Sequence, residues 1–161
     1  MSYKYLFFDL DGTLTDSHEG IFSALRYTFS KMGYPDLLDC ELTKYIGPPL
    51  THSFVHYTGM SEKESLEALA HYREFYKEKG VHQNVLYDGI SSLLEELKKS
   101  NKHLFVATSK PEEQAHVIIC ENGIAQFFDY VGGATLDDSR RNKIEVLRYA
   151  LEKAGNPDIR E

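Results

Sequence analysis

Apolar and aromatic residues run from Lys4 to Phe8 and give way abruptly to Asp9-Leu10-Asp11-Gly12-Thr13. Such a break predicts a buried strand that opens into a turn at Gly12. From Ser17 to Met32, apolar positions recur at Ile21, Leu25, Phe29 and Met32, the spacing of one helix face, and Gly33 supplies a stop. A shorter helical piece around Leu38 to Tyr45 runs into Gly47-Pro48-Pro49, where two prolines remove backbone donors and forbid a continuous helix. Another short helix is predicted over Leu50 to Tyr57. Ser61-Glu62-Lys63-Glu64 has the form of a capping box, and Leu66, Leu69, Ala70 and Tyr76 carry the next helix toward Gly80. Residues 18–87 thus read as helices without a convincing strand.

Beyond that stretch, helix alternates with strand. Asp88 is placed to cap a helix bearing Ile90, Leu93, Leu94 and Leu97, and the apolar run Leu104 to Ala107 follows as a strand. Pro111 suits the first turn of a helix that packs through Ala115, Ile118 and Ile119 and ends at Asn122-Gly123. Tyr130-Val131 reads as a short strand. Asn142 to Ala154 reads as a helix with Ile144, Leu147 and Leu151 inward, ended by Gly155-Asn156-Pro157. Strands joined by helices of this length imply crossover connections, hence an α/β core with a mainly parallel, Rossmann-like sheet and a site at the strand C-termini. The expected division is a core from residues 1–17 and 88–161, with 18–87 inserted as an all-helical cap over the mouth of the site.

Composition narrows the function. With 161 residues, 42% of them hydrophobic, the chain is long enough to bury a real core and too apolar for a disordered one. Its formal charge of -7, from 18 basic and 25 acidic residues, argues against general affinity for nucleic acid or anionic membrane. A phosphate ester would then need a local cationic pocket or a metal. Cys40 and Cys120 form no CxxC pair, so neither a zinc site nor a disulfide framework is expected. No apolar run approaches the length of a secretory or membrane-spanning segment, and a cytoplasmic location is expected.

Asp9 and Asp11 stand two apart at a strand end, so extended geometry would turn both carboxylates to one side of the sheet. Such a pair can divide labour: one carboxylate attacks phosphorus to form an aspartyl-phosphate, while the other gives a proton to the leaving oxygen and then activates water. Crowded carboxylates and a phosphoryl group repel, and oxygen ligands favour Mg2+ beside them. The competing view makes Asp9, Asp11 and Asp16 ordinary turn and cap residues, because Asp-Gly is a frequent turn dipeptide.

Phe8-Asp9-Leu10-Asp11-Gly12-Thr13-Leu14-Thr15-Asp16-Ser17 resembles the first motif of the haloacid dehalogenase superfamily. The likeness continues through Ile46-Gly47-Pro48-Pro49-Leu50, Tyr72-Arg73, Tyr87-Asp88-Gly89-Ile90 and Val106-Ala107-Thr108-Ser109-Lys110-Pro111, and is nearest to the phosphoglycolate-phosphatase-like branch with its helical cap. The resemblance implies a Mg2+-dependent phosphatase acting on a small-molecule phosphate ester. In it Asp9 is nucleophile and metal ligand, and Asp11 is acid/base and a ligand through its carbonyl. Thr108 matches the hydroxyl residue that holds the phosphoryl group, with Gly12, Ser109 and Lys110 beside it. Lys143 matches the cation that neutralises nucleophile and phosphate; Arg140 and Arg141 lie close by, and Lys110 is the alternative. Gly47 and Pro48 would touch the leaving group from the cap. Other readings stay open: Thr108 as a helix N-cap, Lys143 as a solvated lysine, and Gly47-Pro48-Pro49 as a plain helix-helix turn. His52 and His56 have metal-like spacing without a third ligand, which favours an exposed helix face, and Tyr72, Phe75 and Tyr76 read as helix packing.

The superfamily carries a further acidic loop, Gly-Asp followed by another Asp, downstream of the lysine helix, whereas this sequence runs only to Asp158-Ile159-Arg160-Glu161. The resemblance therefore implies a shortened form of a longer protein, with metal affinity and turnover reduced. The alternatives to a phosphatase are a β-phosphoglucomutase-like phosphomutase and an inactive fragment that binds phosphate or a partner. A dehalogenase has no leaving oxygen to protonate and so little use for Asp11.

Overall fold

The structure is a computed structural model that describes residues 3–37, 41–46, 48–136, 139–140 and 142–158. In chain order its elements are β1 (Tyr5–Phe8), β2 (Thr15–Asp16), α1 (His18–Met32), α2 (Leu50–Thr58), α3 (Glu62–Glu78), β3 (Val85–Leu86), α4 (Ile90–Lys99), β4 (His103–Pro111), α5 (Glu112–Glu121), β5 (Tyr130–Ala134) and α6 (Lys143–Lys153). They divide into two compact units, one formed by Met1–Asp16 with Val85–Glu161 and the other by Ser17–Asn84.

The first unit is α/β. Its three-stranded parallel sheet has the order β1-β4-β5. β4 is central because its residues from Leu104 to Thr108 are all buried, which only a strand paired on both sides and covered on its faces accommodates. Tyr5 faces His103 through to Phe8 facing Val106, and Phe105 faces Tyr130 through to Ala107 facing Gly132. Past Ala107 the β4–β5 register shifts before Pro111 meets Ala134, so the C-terminal end of the sheet is irregular. On one face Phe7 stacks on Phe105 at 4.9 Å, and α6 sets Val146 and Ala150 against Ala107, Ala134 and Phe7.

Several local expectations are corrected here. The inward side of α6 is Val146 and Ala150, while Ile144 and Leu147 are exposed. Small residues on both surfaces let the helix lie close to the sheet, and larger apolar side chains would hold it away. Pro111 ends β4 and occupies the cap position of α5, so it does not lie in that helix's first turn. Asp88 does not hold the cap of α4: Gly89 occupies that N-cap position, with no side-chain hydrogen bond. Val85–Leu86 is a strand, antiparallel to Thr15–Asp16. A two-residue strand shows no alternation for periodicity to detect.

The second unit is helical. Phe29, Tyr45 and Phe54 meet with ring centroids about 6 Å apart and form its centre, together with Leu25, Met60 and Tyr76. Ser61 and Glu64 make the reciprocal capping box at the start of α3. The buried line of that helix is Ser65, Ala68 and Tyr76, and Leu66 is exposed, contrary to the periodic reading. Tyr72 stacks on Tyr76, and Phe75 meets Tyr27 at a tilt with ring centroids 4.9 Å apart, as packing side chains do. His52 and His56 stack on each other on the exposed side of α2. Among the described residues, no helix is long and apolar enough to cross a membrane.

Candidate active site

β1 ends at Phe8, and the backbone then coils back on itself. The buried Leu10 accepts three backbone N–H groups at its carbonyl, from Thr13 at 3.2 Å, Leu14 at 2.9 Å and Thr15 at 3.1 Å. Gly12 sits at φ +72°, a left-handed conformation that a side chain resists. The extended geometry expected between Asp9 and Asp11 therefore does not persist; a tight turn sets the two carboxylates instead. One Asp9 oxygen, Oδ1, accepts the amide of Leu10 at 2.9 Å.

The other oxygen of Asp9 is ion-paired with the Lys143 ammonium. Lys143 is the first residue of α6, and that helix start is fixed by a second capping box. Asn142 Oδ1 accepts from the amides of Ile144 at 3.1 Å and Glu145 at 3.0 Å, while Glu145 Oε2 accepts the Asn142 amide at 3.0 Å. At the end of β4, Lys110 Nζ lies 3.1 Å from Asp11 Oδ2, its side chain only 6% exposed. The two lysines thus serve two different carboxylates, and Lys110 is a partner in its own right. Asp11 Oδ1 is buried without a hydrogen-bond partner. Thr108 is buried inside β4 and its Oγ1 accepts the Lys110 amide at 3.2 Å, so it is not a helix cap. Ser109 beside it is exposed.

The ends of β1, β4 and α6 therefore gather Asp9, Asp11, Thr108, Lys110 and Lys143. Gly47 and Arg141 lie outside the described residues, as does Cys40, and Pro48 belongs to the helical unit. Two further charged residues adjoin the group, Arg140 and the unforeseen Glu112, joined at 2.6 Å. A glutamate following a proline and an arginine among neighbouring cations carry no periodic signal, and only the fold brings them together.

Residues 6–158 match the haloacid dehalogenase-like hydrolase family. The chain belongs to this family. It is 38% identical to a 5'-nucleotidase of Pseudomonas aeruginosa over 157 residues, 96% of this chain and 70% of that protein. It is 41% identical over 150 residues to tyrosine-protein kinase PtkA of Mycobacterium tuberculosis, and that match covers 93% of this chain but spans only 51% of PtkA. A crystal structure of a predicted phosphatase from Clostridium acetobutylicum superposes with a TM-score of 0.83 at 41% identity, covering 95% of this chain and 71% of that one.

The family likeness implies a magnesium ion, and the residues present fit one. Mg2+ is held by one or two carboxylates, with water and phosphate oxygens completing its shell. Asp9 and Asp11 offer such hard oxygens, and the unpartnered Asp11 Oδ1 is the kind of buried acceptor that a cation, its water or an acidic proton would satisfy. Among the described residues no group of three or more His, Cys, Asp or Glu is arranged to hold a metal.

Proposed function

We propose that the protein hydrolyses small phosphomonoesters through an aspartyl-phosphate on Asp9. The observation that carries this reading is the placement of two carboxylate–ammonium pairs, Asp9 with Lys143 and Asp11 with Lys110, at neighbouring element ends of one α/β unit. Asp9 Oδ1 is already held by the Leu10 amide, which leaves Oδ2, on the Lys143 side, to attack phosphorus. A new O–P bond forms as the ester P–O bond breaks, and a protonated Asp11 gives its proton to the leaving alkoxide. Water then attacks phosphorus, Asp11 takes up a proton, the acyl-phosphate P–O bond breaks, and phosphate departs with Asp9 restored.

Lys143 and Lys110 offset the charge that gathers on the phosphoryl oxygens, and the Thr108 hydroxyl donates to one of them in this reading. Gly12, held at φ +72° with open space beside its Cα, leaves the turn unobstructed for substrate to approach. Magnesium, held by Asp9 and Asp11, would neutralise the meeting of anions. The helical unit acting as a cap, Gly47 and Pro48 as substrate-selecting residues, and a cytoplasmic location belong to the same proposal and follow from the sequence reading.

The substrate class follows the names of the relatives as far as a phosphate ester, with nucleoside 5'-monophosphates and phosphoglycolate the first compounds to assay. PtkA bears the name of a kinase, so transfer of the phosphoryl group to an acceptor other than water is the second reading. Release of inorganic phosphate from p-nitrophenyl phosphate with magnesium, abolished in Asp9→Asn, is the expected result. Phosphate appearing on an added acceptor in place of water would favour transfer, and unchanged release by Asp9→Asn would remove Asp9 from the nucleophile role.

A further inference from the structure

Glu112 and Arg140 form a polar cluster with Gly133 in the α/β unit, apart from the Asp9–Lys143 and Asp11–Lys110 pairs. Arg140 stands in the segment between β5 and α6, three residues before Lys143. Its Nε donates to the carbonyl of Gly133 at 2.6 Å, its Nη2 to Glu112 Oε2 at 2.6 Å, and its guanidinium lies 3.6 Å from the ring centroid of Tyr149 on α6. Arg140 therefore grips β5, α5 and α6 at once. The backbone adds a second tie, because the Thr135 amide donates to the Arg140 carbonyl and the Arg140 amide to Thr135 Oγ1, both at 2.9 Å.

Glu112 completes the arrangement from the other side. It follows Lys110 by two residues, and its Oε2 accepts the Gly133 amide at 3.1 Å as well as the guanidinium. Gly133 meets this segment backbone to backbone: a Cβ there would lie 2.5 Å from Glu112 Cα and 2.7 Å from the Lys110 carbonyl oxygen. Tyr149 is itself anchored, its hydroxyl 2.7 Å from that of Tyr130 on β5. Val146 and Ala150 pack α6 on the sheet further along the helix, at Ala107 and Ala134. At the start of α6 the Arg140 cluster ties the helix to β5 and to the segment that follows β4.

We propose that Arg140, held by Glu112, is a positioning residue that sets the Lys143 ammonium against Asp9. This rests on the phosphohydrolase reading above. A planar, forked guanidinium suits the task, since it engages a carboxylate, a carbonyl and an aromatic face together where an ammonium engages one. With 16% of the Arg140 side chain and 26% of the Glu112 side chain exposed, removing either leaves the other a poorly hydrated charge with a reason to move.

The test uses the full chain and the variants Arg140→Met, Glu112→Gln, Lys143→Met and Arg140→Met/Lys143→Met. Catalysis is read with p-nitrophenyl phosphate and magnesium, and lysine accessibility by acetic anhydride labelling with peptide mass spectrometry. Arg140→Met should lower kcat about 10- to 100-fold, as a displaced catalytic group does, with KM changed much less. In the Lys143→Met background the same change should cost no more than about twofold, because the two residues act as one unit. Lys143 should be acetylated faster in Arg140→Met, while exposed Lys63 on the helical unit is unaffected.

Retained kcat in Arg140→Met, an equal loss in both backgrounds, or unchanged Lys143 labelling would overturn the proposal. Should Arg140→Met fail to fold by circular dichroism, Glu112→Gln, which keeps the side-chain shape, carries the same expectations. Failure of the unaltered chain to hydrolyse the substrate would sink the phosphohydrolase reading, and the labelling would still judge the bracket by itself.

Discussion

Replacing Gly133 by alanine adds one methyl group at the point where β5 crosses the β4–α5 junction. That carbon would sit 2.5 Å from Glu112 Cα, 2.7 Å from Glu112 N and 2.7 Å from the Lys110 carbonyl oxygen, all of them backbone atoms. Carbon contacts need about 3.5–4.0 Å, so the two segments must part by about 1 Å. Overpacking of this kind costs about 1–3 kcal/mol, against a gain of only about 0.4–1 kcal/mol from the smaller unfolded-state entropy of alanine. Destabilisation should win, lowering the melting temperature by a few degrees at about 2–4 °C per kcal/mol for a chain of this size. Because the displaced segment carries Lys110, kcat should fall about 10- to 100-fold. Gly132→Ala is the control: its nearest atoms would be Val106 O at 3.4 Å, Ala150 Cβ at 3.6 Å and Tyr149 Cδ1 at 3.6 Å, so the methyl fits with little movement. Differential scanning calorimetry and steady-state hydrolysis of p-nitrophenyl phosphate measure both effects. If Gly133→Ala melts and turns over like Gly132→Ala, the argument from close approach is wrong.

Lys143→Met should leave the fold intact, since its side chain is 61% exposed, yet lower kcat by about 10²–10³ if it stabilises charge in the transition state. Melting curves beside kinetics separate the two effects. Asn142→Ala removes the acceptor for two amides at the start of α6 and should cost about 0.5–2 kcal/mol in urea unfolding, with turnover falling as Lys143 loosens. Burial alone would raise the pKa of Asp129, but hydrogen bonds from Lys98 and His103, the Lys98 charge and the Leu104 amide outweigh it and hold the carboxyl below its ordinary value. Its contribution to stability is therefore full above the ordinary carboxylate range and is lost as pH falls through the lowered value. The urea midpoints of the native chain and Asp129→Asn should accordingly differ near neutral pH and converge in acid.

Features governed by local chemistry were legible in the sequence, and those governed by contact between distant segments were not. The strand before Asp9, the turn at Gly12, the stop at Gly33, the capping box at Ser61 and the apolar run in β4 each follow from neighbouring residues, and the structure has each of them. Periodicity failed where a helix buries its small side chains. On α6 the larger Ile144 and Leu147 suggested the inward face, but the sheet beneath, built of Ala107, Gly132 and Ala134, admits a helix only at close range through Val146 and Ala150. Similarly, Pro111 suggested a helix start near Thr108, which concealed that β4 runs on to carry Lys110 to Asp11. The resemblance names both Lys110 and Lys143 as site cations but not the pairing of Lys110 with Asp11, because that pairing depends on a crossover of more than ninety residues between β1 and β4.

The most direct test of the central claim is to mix the chain with a phosphate ester and magnesium, quench in acid within the first turnover, and map any phosphorylated peptide by mass spectrometry. A phosphoryl group on Asp9, absent after Asp9→Asn, is the result expected. Phosphate released with no adduct on Asp9, and at the same rate from the Asp9→Asn variant, would contradict the account.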